Sequence, residues 1–255
     1  MSNSASQEWV SFTCAEGSKG APWRAAGLKW DPLKSLIVPR PIGWITTLSS
    51  GDGGANTAPY SFFNAVSSTP PMVMFACNGV HADGGLKESV INALETGEFV
   101  VNVASAGVID AVAKTGYAVD RGVDEGSHPL LANSAMLAST VVGPPRLALA
   151  KAHLECTTVE SIELPHDNGE ARNVVVFGRV VAYHLCTSIL TDAGDSVDVL
   201  RLNPLSRLGG SEYGTLGARE AVISHKYGEA ELMEQAPELF TQLAARRQRA
   251  RARRK

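Results

Sequence analysis

The sequence predicts a mainly β fold, either α+β or all-β with inserted helices, in which many strands follow one another and the two or three helices are short. Alternating apolar residues recur in segments of strand length, and helical periodicity appears only in short stretches. The strands also follow one another without the βαβ alternation of a parallel sheet. With 255 residues, 44% hydrophobic and 19% charged, the chain can bury a sizeable core.

The first half of the chain supplies the first strands. Turn residues over 49–56 (SSGDGGAN) predict a loop, and the Pro pair at 70–71 divides the segment that follows, because proline cannot donate to a ladder. Strands are predicted on either side of these breaks, over 42–48, 60–66 and 72–77.

Helical periodicity begins at Leu86, where Leu86, Val90 and Leu94 lie at i, i+4 and i+8 and Gly97 follows as a stop. A strand is then predicted from Phe99 to Val103 by alternation. A second short helix is predicted over 109–114, and residues 116–145 read as irregular.

The second half contains a predicted long hairpin. Its first strand covers 152–164, with Leu154, Cys156, Thr158, Ile162 and Leu164 expected on one face. Its partner at 173–186 (NVVVFGRVVAYHLC) is apolar on both faces. We expect that strand to be buried in the barrel on one side and in a subunit interface on the other.

The charge is unevenly distributed. The chain has 23 Lys and Arg and 26 Asp and Glu residues. The last ten residues, RRQRARARRK, contain seven basic residues and no acidic one, so the rest of the chain has a net charge of −10. We expect the tail to be a solvated terminus, preceded by helix formers over 229–245. Nucleic-acid binding is not expected, because an acidic body repels a phosphate backbone.

Several function classes are excluded by missing motifs. The sequence has no phosphate-binding loop, no G-x-S-x-G, no complete G-x-G-x-x-G and no C-x-x-C or H-x-x-x-H pair, so no metal site is expected. Most of the four cysteines are expected to be buried in a reducing compartment. With neither a signal-like N-terminus nor 18 consecutive apolar residues, the protein is expected to be cytoplasmic and without membrane contact.

Four segments resemble one family. The run VPRPIGWITTLSSGDGGANTAPYSFFNAVSSTPPMVMFACN (38–78) resembles the flavin reductase-like family of FMN-binding split barrels. KESVINALETGEFVVNVAS (87–105), the hairpin AHLECTTVESIEL with NVVVFGRVVAYHL, and RLNPLSRLGGSEYGTLG (201–217) extend the resemblance in the same order. Together they cover about residues 34–218.

The resemblance implies a six-stranded, Greek-key-like split barrel that forms a homodimer with FMN near the interface. It also implies NADH or NADPH as co-substrate. The expected domains are an N-terminal extension (1–30), the flavin reductase-like domain (31–220) and a C-terminal helix with the basic tail (221–255).

The resemblance also implies which residues contact the flavin, and their hydroxyl, amide and backbone groups suit the parts of FMN. In the family, segments like 44–47 (WITT) and 61–64 (SFFN) line the flavin. Trp44 belongs to the first, and we assign Thr46, Thr47 and Ser61 to the ribityl chain or phosphate. Asn64 and the backbone of Phe62 and Phe63 are assigned to the ring and its edge. The alternative is that these are ordinary strand and core residues.

Cations supply the second group of candidates. Lys87 is assigned to the phosphate, because it stands at the first turn of a helix, where free N–H groups favour an anion, and Ser89 adds a hydroxyl. Further candidates are Arg40, Arg207, Tyr213 and, in a buried strand, Asn102. The alternatives are a solvated Lys87 and a surface Arg207; His184 reads as a core histidine rather than a catalytic one.

Three functions remain open at this point. The first is an NAD(P)H-dependent FMN reductase that supplies reduced flavin to a separate monooxygenase. The second is an oxidoreductase with tightly bound FMN that acts on a specific small molecule, and the third is a non-catalytic electron carrier. Hydride transfer to flavin needs stacking and orientation rather than a nucleophile, so no catalytic residue is assigned.

Overall fold

The computed structural model describes residues 8–14, 22–81, 84–116, 136–166 and 172–217. By its contacts the chain divides into Met1–Gly217 and Ala218–Lys255, and the described residues all belong to the first unit. The predicted helix over 229–245 and the basic tail lie outside the described residues, as does most of the segment predicted to be irregular.

An antiparallel sheet of seven strands forms the centre, in the order β3-β2-β6-β9-β10-β5-β4. Its strands are β2 (Gly43–Leu48), β3 (Ala55–Tyr60), β4 (Phe63–Ser68), β5 (Pro71–Asn78), β6 (Glu98–Val103), β9 (Ala152–Leu164) and β10 (Asn173–Leu185). A small sheet contains β1 (Arg40–Pro41), β11 (Ser206–Arg207) and β12 (Tyr213–Gly214), and a second pairs β7 (Met136–Leu137) with β8 (Arg146–Leu147).

The helices are short. They are α1 (Pro22–Ala25), α2 (Leu33–Leu36), α3 (Glu88–Glu95), α4 (Ile109–Lys114) and α5 (Val199–Leu202), with 3₁₀ turns at Ala106–Val108 and Thr187–Ile189. The helix predicted from Leu86 is confirmed as α3, and Gly97 follows it with φ of +73°. The predicted second helix is confirmed as α4.

The sheet closes on itself between β3 and β4. These strands are consecutive in the chain but lie at opposite edges of the seven-stranded sheet. Only Ser61 and Phe62 join them, and a link of that length spans at most about 11 Å between flanking Cα atoms. The sheet therefore curls until its edges meet, which produces a split barrel with a seam at Ser61–Phe62.

The seam explains one wrong prediction. Residues 60–66 were expected to form one strand, but β3 ends at Tyr60 and β4 begins at Phe63. The chain crosses from one sheet edge to the other at this point, so it cannot continue in one ladder. The barrel consequently has seven strands and not the six that the resemblance implied.

The core lies inside the barrel and beneath α3 and α4. One cluster centres on Phe75, Phe99 and Val176, and a second on Trp44 and Leu147. Because layers cover both sides of β2 and β6, these strands are buried at almost every position rather than at alternate ones. Local alternation therefore located these strands but did not identify a solvent face.

The long hairpin was predicted almost to the residue, since β9 and β10 end within one position of the expected bounds. Its predicted apolar face is only partly correct. Cys156 is in the core, but Ile162 and Leu164 are 46% and 44% exposed. A register shift opposite Phe177 and Gly178 changes the alternation between the two halves of the hairpin.

The described residues also test the expectations about cysteines, metal ligands and membrane-spanning helices. Cys77 and Cys156 are buried, whereas Cys14 and Cys186 are exposed, so the expectation that most cysteines are buried was wrong. Within the described ranges, no group of three or more potential metal ligands comes together, and no helix has the length and apolar character needed to cross a membrane.

Candidate functional site

Two cavities meet at the seam of the barrel. The first, called the cationic cavity below, has a volume of about 680 Å³, and the second, the apolar cavity, about 750 Å³. Both are lined by the seam residues Ser61 and Phe62 and by Arg40, Ala76 and Asn78. The seam thus places one wall between a charged space and an apolar one.

The cationic cavity concentrates positive charge in an otherwise acidic protein. Lys34, Arg40, Lys87 and Arg207 line it, and none of the described residues around it is Asp or Glu. The chain outside the last ten residues has a net charge of −10. Four cations in one concave space, with no Asp or Glu among the described residues that line it, are the electrostatic complement of an anionic ligand.

Lys87 stands on one side of this cavity, at the start of α3. It is the N-cap residue, in extended conformation, and its carbonyl accepts hydrogen bonds from Val90 at 3.0 Å and Ile91 at 3.2 Å. The N–H groups of Glu88 and Ser89, which precede Val90 in the first turn, have no carbonyl partner within the helix, so backbone donors and the ammonium group favour an anion together.

The neighbouring thiol of Cys77 has a different role. Burial raises the pKa of Cys77 to about 11, even though the charge and backbone of Lys87 act in the opposite direction. The thiol therefore stays protonated at neutral pH and is a wall of the cavity rather than a nucleophile.

Arg40 is locked in place by the backbone around it. It is 6% exposed, and its guanidinium donates to the carbonyls of Lys34, of Ile37 at 2.8 Å and of Leu208 at 2.9 Å. These bonds connect α2 with the C-terminal segment. Burial, and then the charge of Arg207, lower the pKa of Arg40, and its Nε is buried without a partner among the described residues.

Arg207 is held by a cation–π contact and one hydrogen bond. Its guanidinium lies 4.7 Å from the centre of the Tyr213 ring and donates from Nη2 to the Gly210 carbonyl at 3.0 Å. Gly209 packs closely against Ser35 of α2. A Cβ at this position would lie 2.4 Å from Ser35 Oγ, so only glycine fits without a shift. The predicted C-terminal motif thus packs against α2 and presents Arg207 and Tyr213 to the cavity.

The apolar cavity begins on the other side of the seam. Phe62 and Phe63 line it together with Met74, Val175 and Phe177. A Cβ at Gly43 would lie 2.6 Å from the Phe63 ring, so the glycine lets this ring pack directly on β2. Asn64 also lines the cavity, and its Oδ1 accepts a hydrogen bond from the Ala65 N–H at 2.8 Å.

The structure thus brings eight of the thirteen predicted site residues to the two cavities. Those in the cationic cavity are Arg40, Ser61, Phe62, Lys87, Arg207 and Tyr213, and Phe63 and Asn64 are in the apolar one.

The other five predicted residues line neither cavity. Trp44, Thr46, Thr47, Ser89 and Asn102 are all buried. Their polar atoms bond inside the protein: Trp44 to Thr115, Asn102 to Thr46 at 2.8 Å, Thr47 to Asn92 and Ser89 to Asn56. Their hydroxyls and amides stabilise the barrel wall behind the site instead of facing it.

Several cavity residues were not predicted from the sequence. Lys34, Asn78 and Ser211 line the cationic cavity. Asn78 ends the segment that carried the family resemblance, which was the available signal. Lys34 gave no signal, because it reaches the cavity only through the packing of α2.

A polar network in the barrel lies outside both cavities. The buried carboxylate of Glu155 accepts N–H bonds from Thr140 at 2.7 Å and Val141 at 2.6 Å and contacts His184 Nε2 at 2.5 Å. His184 lines neither cavity. His184 thus has a hydrogen-bond partner, but it is only partly buried and does not lie in the core as was expected.

The chain matches one described family over most of the residues that form the barrel. Residues 34–200 match the family described as "Flavin reductase like domain". The protein YwrF of Bacillus subtilis (strain 168) is 33% identical over 195 residues, which are 75% of this chain and 90% of YwrF.

Two solved structures share the fold at recognisable sequence identity. Nitrilotriacetate monooxygenase component B from Bacillus cereus is 28% identical with a TM-score of 0.66, covering 74% of this chain and 90% of that one. The 2-nitrobenzoate 2-nitroreductase NbaA of Pseudomonas fluorescens is 26% identical with a TM-score of 0.64, covering 77% and 90%. With its split barrel and its matching residues, the chain belongs to the flavin reductase-like domain family.

Proposed function

We propose that this protein is an NAD(P)H:FMN reductase that binds FMN at the seam of its barrel. The observation that carries the proposal is the cationic cavity, with four cations and no described acid, beside an aromatic wall. FMN combines a dianionic phosphate, a polar ribityl chain and a planar ring, so it needs cations, hydroxyls or amides, and a flat apolar contact.

The residues at the seam fit these three needs. Lys87 and the first N–H groups of α3 would hold the phosphate. Ser61 and Asn78 offer a hydroxyl and an amide for the ribityl chain, and both border the two cavities. Phe62, Phe63 and Asn64 would contact the ring and its edge.

Bound FMN would supply a flavin N5 that accepts hydride from a nicotinamide. The residues of this chain have to bind, orient and exclude water, because no proton acceptor of unusual strength is needed for that transfer. The protonated Cys77 thiol and the apolar lining beyond Phe62 suit this role. No residue is therefore assigned to acid–base or nucleophilic chemistry.

A homodimer with FMN near its interface forms part of the proposal. The exposed side of β10 carries Val181, Tyr183 and Leu185, with Tyr183 56% exposed. Earlier in the same strand, Val175 and Phe177 line the apolar cavity. A second copy that covers β10 would bury these side chains and border the cavity, as a self-complementary two-fold interface does.

The fate of the reduced flavin separates two candidate functions. Similarity to nitrilotriacetate monooxygenase component B favours release of reduced FMN to a separate monooxygenase. Similarity to a nitroreductase, together with the apolar cavity of about 750 Å³, favours retained FMN acting on an organic substrate. A non-catalytic electron carrier is the third alternative.

One experiment tests the proposal and separates these alternatives. The absorbance spectrum of the purified protein reports retained FMN, and NADH or NADPH oxidation is then measured with and without added FMN. A diffusible-flavin reductase is expected to be colourless and to need excess FMN. A yellow protein that oxidises NAD(P)H only with an organic acceptor indicates retained FMN, and binding without any oxidation would overturn the reductase proposal.

A further inference from the structure

We propose that Arg207 forms a second phosphate subsite in the cationic cavity, separate from Lys87, and that it binds the diphosphate of the nicotinamide dinucleotide. The inference rests on the proposed function, since it concerns the second ligand of the same site. It assigns different ligands to cations that different elements bring into one cavity.

The number and placement of the cations support two anionic ligands. FMN carries one phosphate, and Lys87 with the start of α3 already provides a site for it. Lys34, Arg40 and Arg207 belong to other elements, namely α2, β1 and β11. Three further positive charges exceed what a single phosphate needs, whereas a dinucleotide brings a diphosphate with two more negative charges.

The two arginines lie opposite each other, which is unfavourable without an anion. Arg40 and Arg207 are register partners of the β1–β11 pair, and the positive charge of Arg207 contributes to lowering the pKa of Arg40. Like charges at directly opposed positions destabilise an antiparallel pair. Because no described Asp or Glu lines this cavity, an anionic ligand is the natural neutralising partner.

The hydrogen bonds assign different roles to these two arginines. Three of the five N–H donors of Arg40 bond to backbone carbonyls, two from Nη1 and one from Nη2, and its Nε is buried without a partner among the described residues. Among the described residues, Arg207 uses one of its five N–H donors in a side-chain hydrogen bond, to Gly210, and it makes a cation–π contact with Tyr213. Arg207 therefore keeps donors for a phosphate, and Arg40 is a positioning residue that fixes the wall.

Direct binding tests this division without relying on turnover. ADP-ribose carries the diphosphate but no nicotinamide, and its affinity and that of FMN are measured by calorimetry on separate samples. Arg207→Gln is expected to weaken ADP-ribose about 10- to 100-fold, as loss of a charge-assisted pair does, with FMN affinity within about twofold. Lys87→Ala is expected to show the reverse pattern.

Matched variants guard against a general loss of structure. Arg179→Gln removes an exposed arginine of β10 that lines neither cavity and should change neither affinity. Arg207→Lys keeps the charge but not the forked donors, so an intermediate loss of ADP-ribose affinity is expected. In turnover, Arg207→Gln should raise the KM for NAD(P)H and leave kcat nearly unchanged.

Each contrary outcome is informative. If Arg207→Gln weakens FMN but not riboflavin, Arg207 binds the flavin phosphate and the second subsite is overturned. Unchanged ADP-ribose affinity in Arg207→Gln, or no ADP-ribose binding by the wild-type protein, also overturns it. Failure of the wild-type protein to bind FMN contradicts the proposed function instead, and ADP-ribose binding lost in Arg207→Gln would then still support the subsite.

Discussion

Arg40 and Arg207 face each other as Cα partners across the short β1–β11 pair, so two guanidinium groups form one wall of the cationic cavity. The wall is rigid on one side, because Arg40 is bonded to carbonyls of α2 and of the C-terminal segment. It is open on the other side, where Arg207 rests on Tyr213. This difference underlies the separate roles proposed for the two residues.

The exposed apolar side of β10 predicts self-association. Light scattering at micromolar concentration is expected to give about twice the monomer mass of 26.9 kDa. Tyr183→Glu places a charge on the predicted interface and should shift the protein towards monomer. Asp110→Asn, a control at an exposed position of α4, should leave the mass unchanged. A stable wild-type monomer would argue against the dimer.

Gly178 permits the closest packing in the core. A Cβ at this position would lie 2.2 Å from Phe99 Cζ, and the Phe99 ring is fully buried against Phe75. Gly178→Ala is therefore expected to lower the free energy of unfolding by about 1–3 kcal/mol, as overpacking does.

Chemical denaturation measures this effect. The control is Gly107→Ala, because a Cβ there meets no atom within 4 Å. Equal stability of the two variants would mean that the Phe99 ring moves aside at no cost.

Glu155 predicts a pH-dependent contribution to stability. Burial alone would raise the pKa of Glu155, but the N–H groups of Thr140, Val141 and Val142 and the His184 ring outweigh it and lower the pKa to about 2. Since the folded state holds the proton less tightly than the unfolded state, this carboxylate stabilises the fold above about pH 4.5. That contribution is lost as the pH falls towards 2.

Glu155→Gln tests this relationship. The variant should be less stable than the wild-type protein by about 1–3 kcal/mol at pH 7, because its amide cannot replace the charged acceptor of several N–H groups. Urea unfolding between pH 7 and pH 3 should show the difference constant above about pH 5 and shrinking below pH 4.5. If the difference in the free energy of unfolding between the two proteins does not change with pH, the effect comes from packing and not from charge.

Local patterns predicted the long hairpin and the helices α3 and α4 well, whereas the short helices α1, α2 and α5 were not predicted. The strands β9 and β10 pair with each other, so their alternation and their turn are recorded in contiguous sequence. The helices α3 and α4 are similarly local. The division at Ser61–Phe62 was not predictable in this way, because it depends on where β3 and β4 lie in the closed sheet.

The residues of the candidate site were predicted only in part, because their position also depends on the folded barrel. Lys87, Arg207 and the segment 61–64 are recognisable from family-like motifs, and all reach a cavity. Thr46 and Asn102 belong to equally plausible segments, but they bond to each other inside the barrel. A strand pattern cannot tell which polar side chains satisfy one another and which remain available for a ligand.

The affinity of FMN relative to riboflavin, measured on wild-type protein and on Lys87→Ala, tests the central claim most directly. If the cationic cavity holds the flavin phosphate, the wild-type protein binds FMN more tightly than riboflavin. Lys87→Ala then weakens FMN about 10- to 100-fold and leaves riboflavin nearly unchanged. Equal affinities of the wild-type protein for the two flavins, or an equal loss of both in Lys87→Ala, would contradict the account.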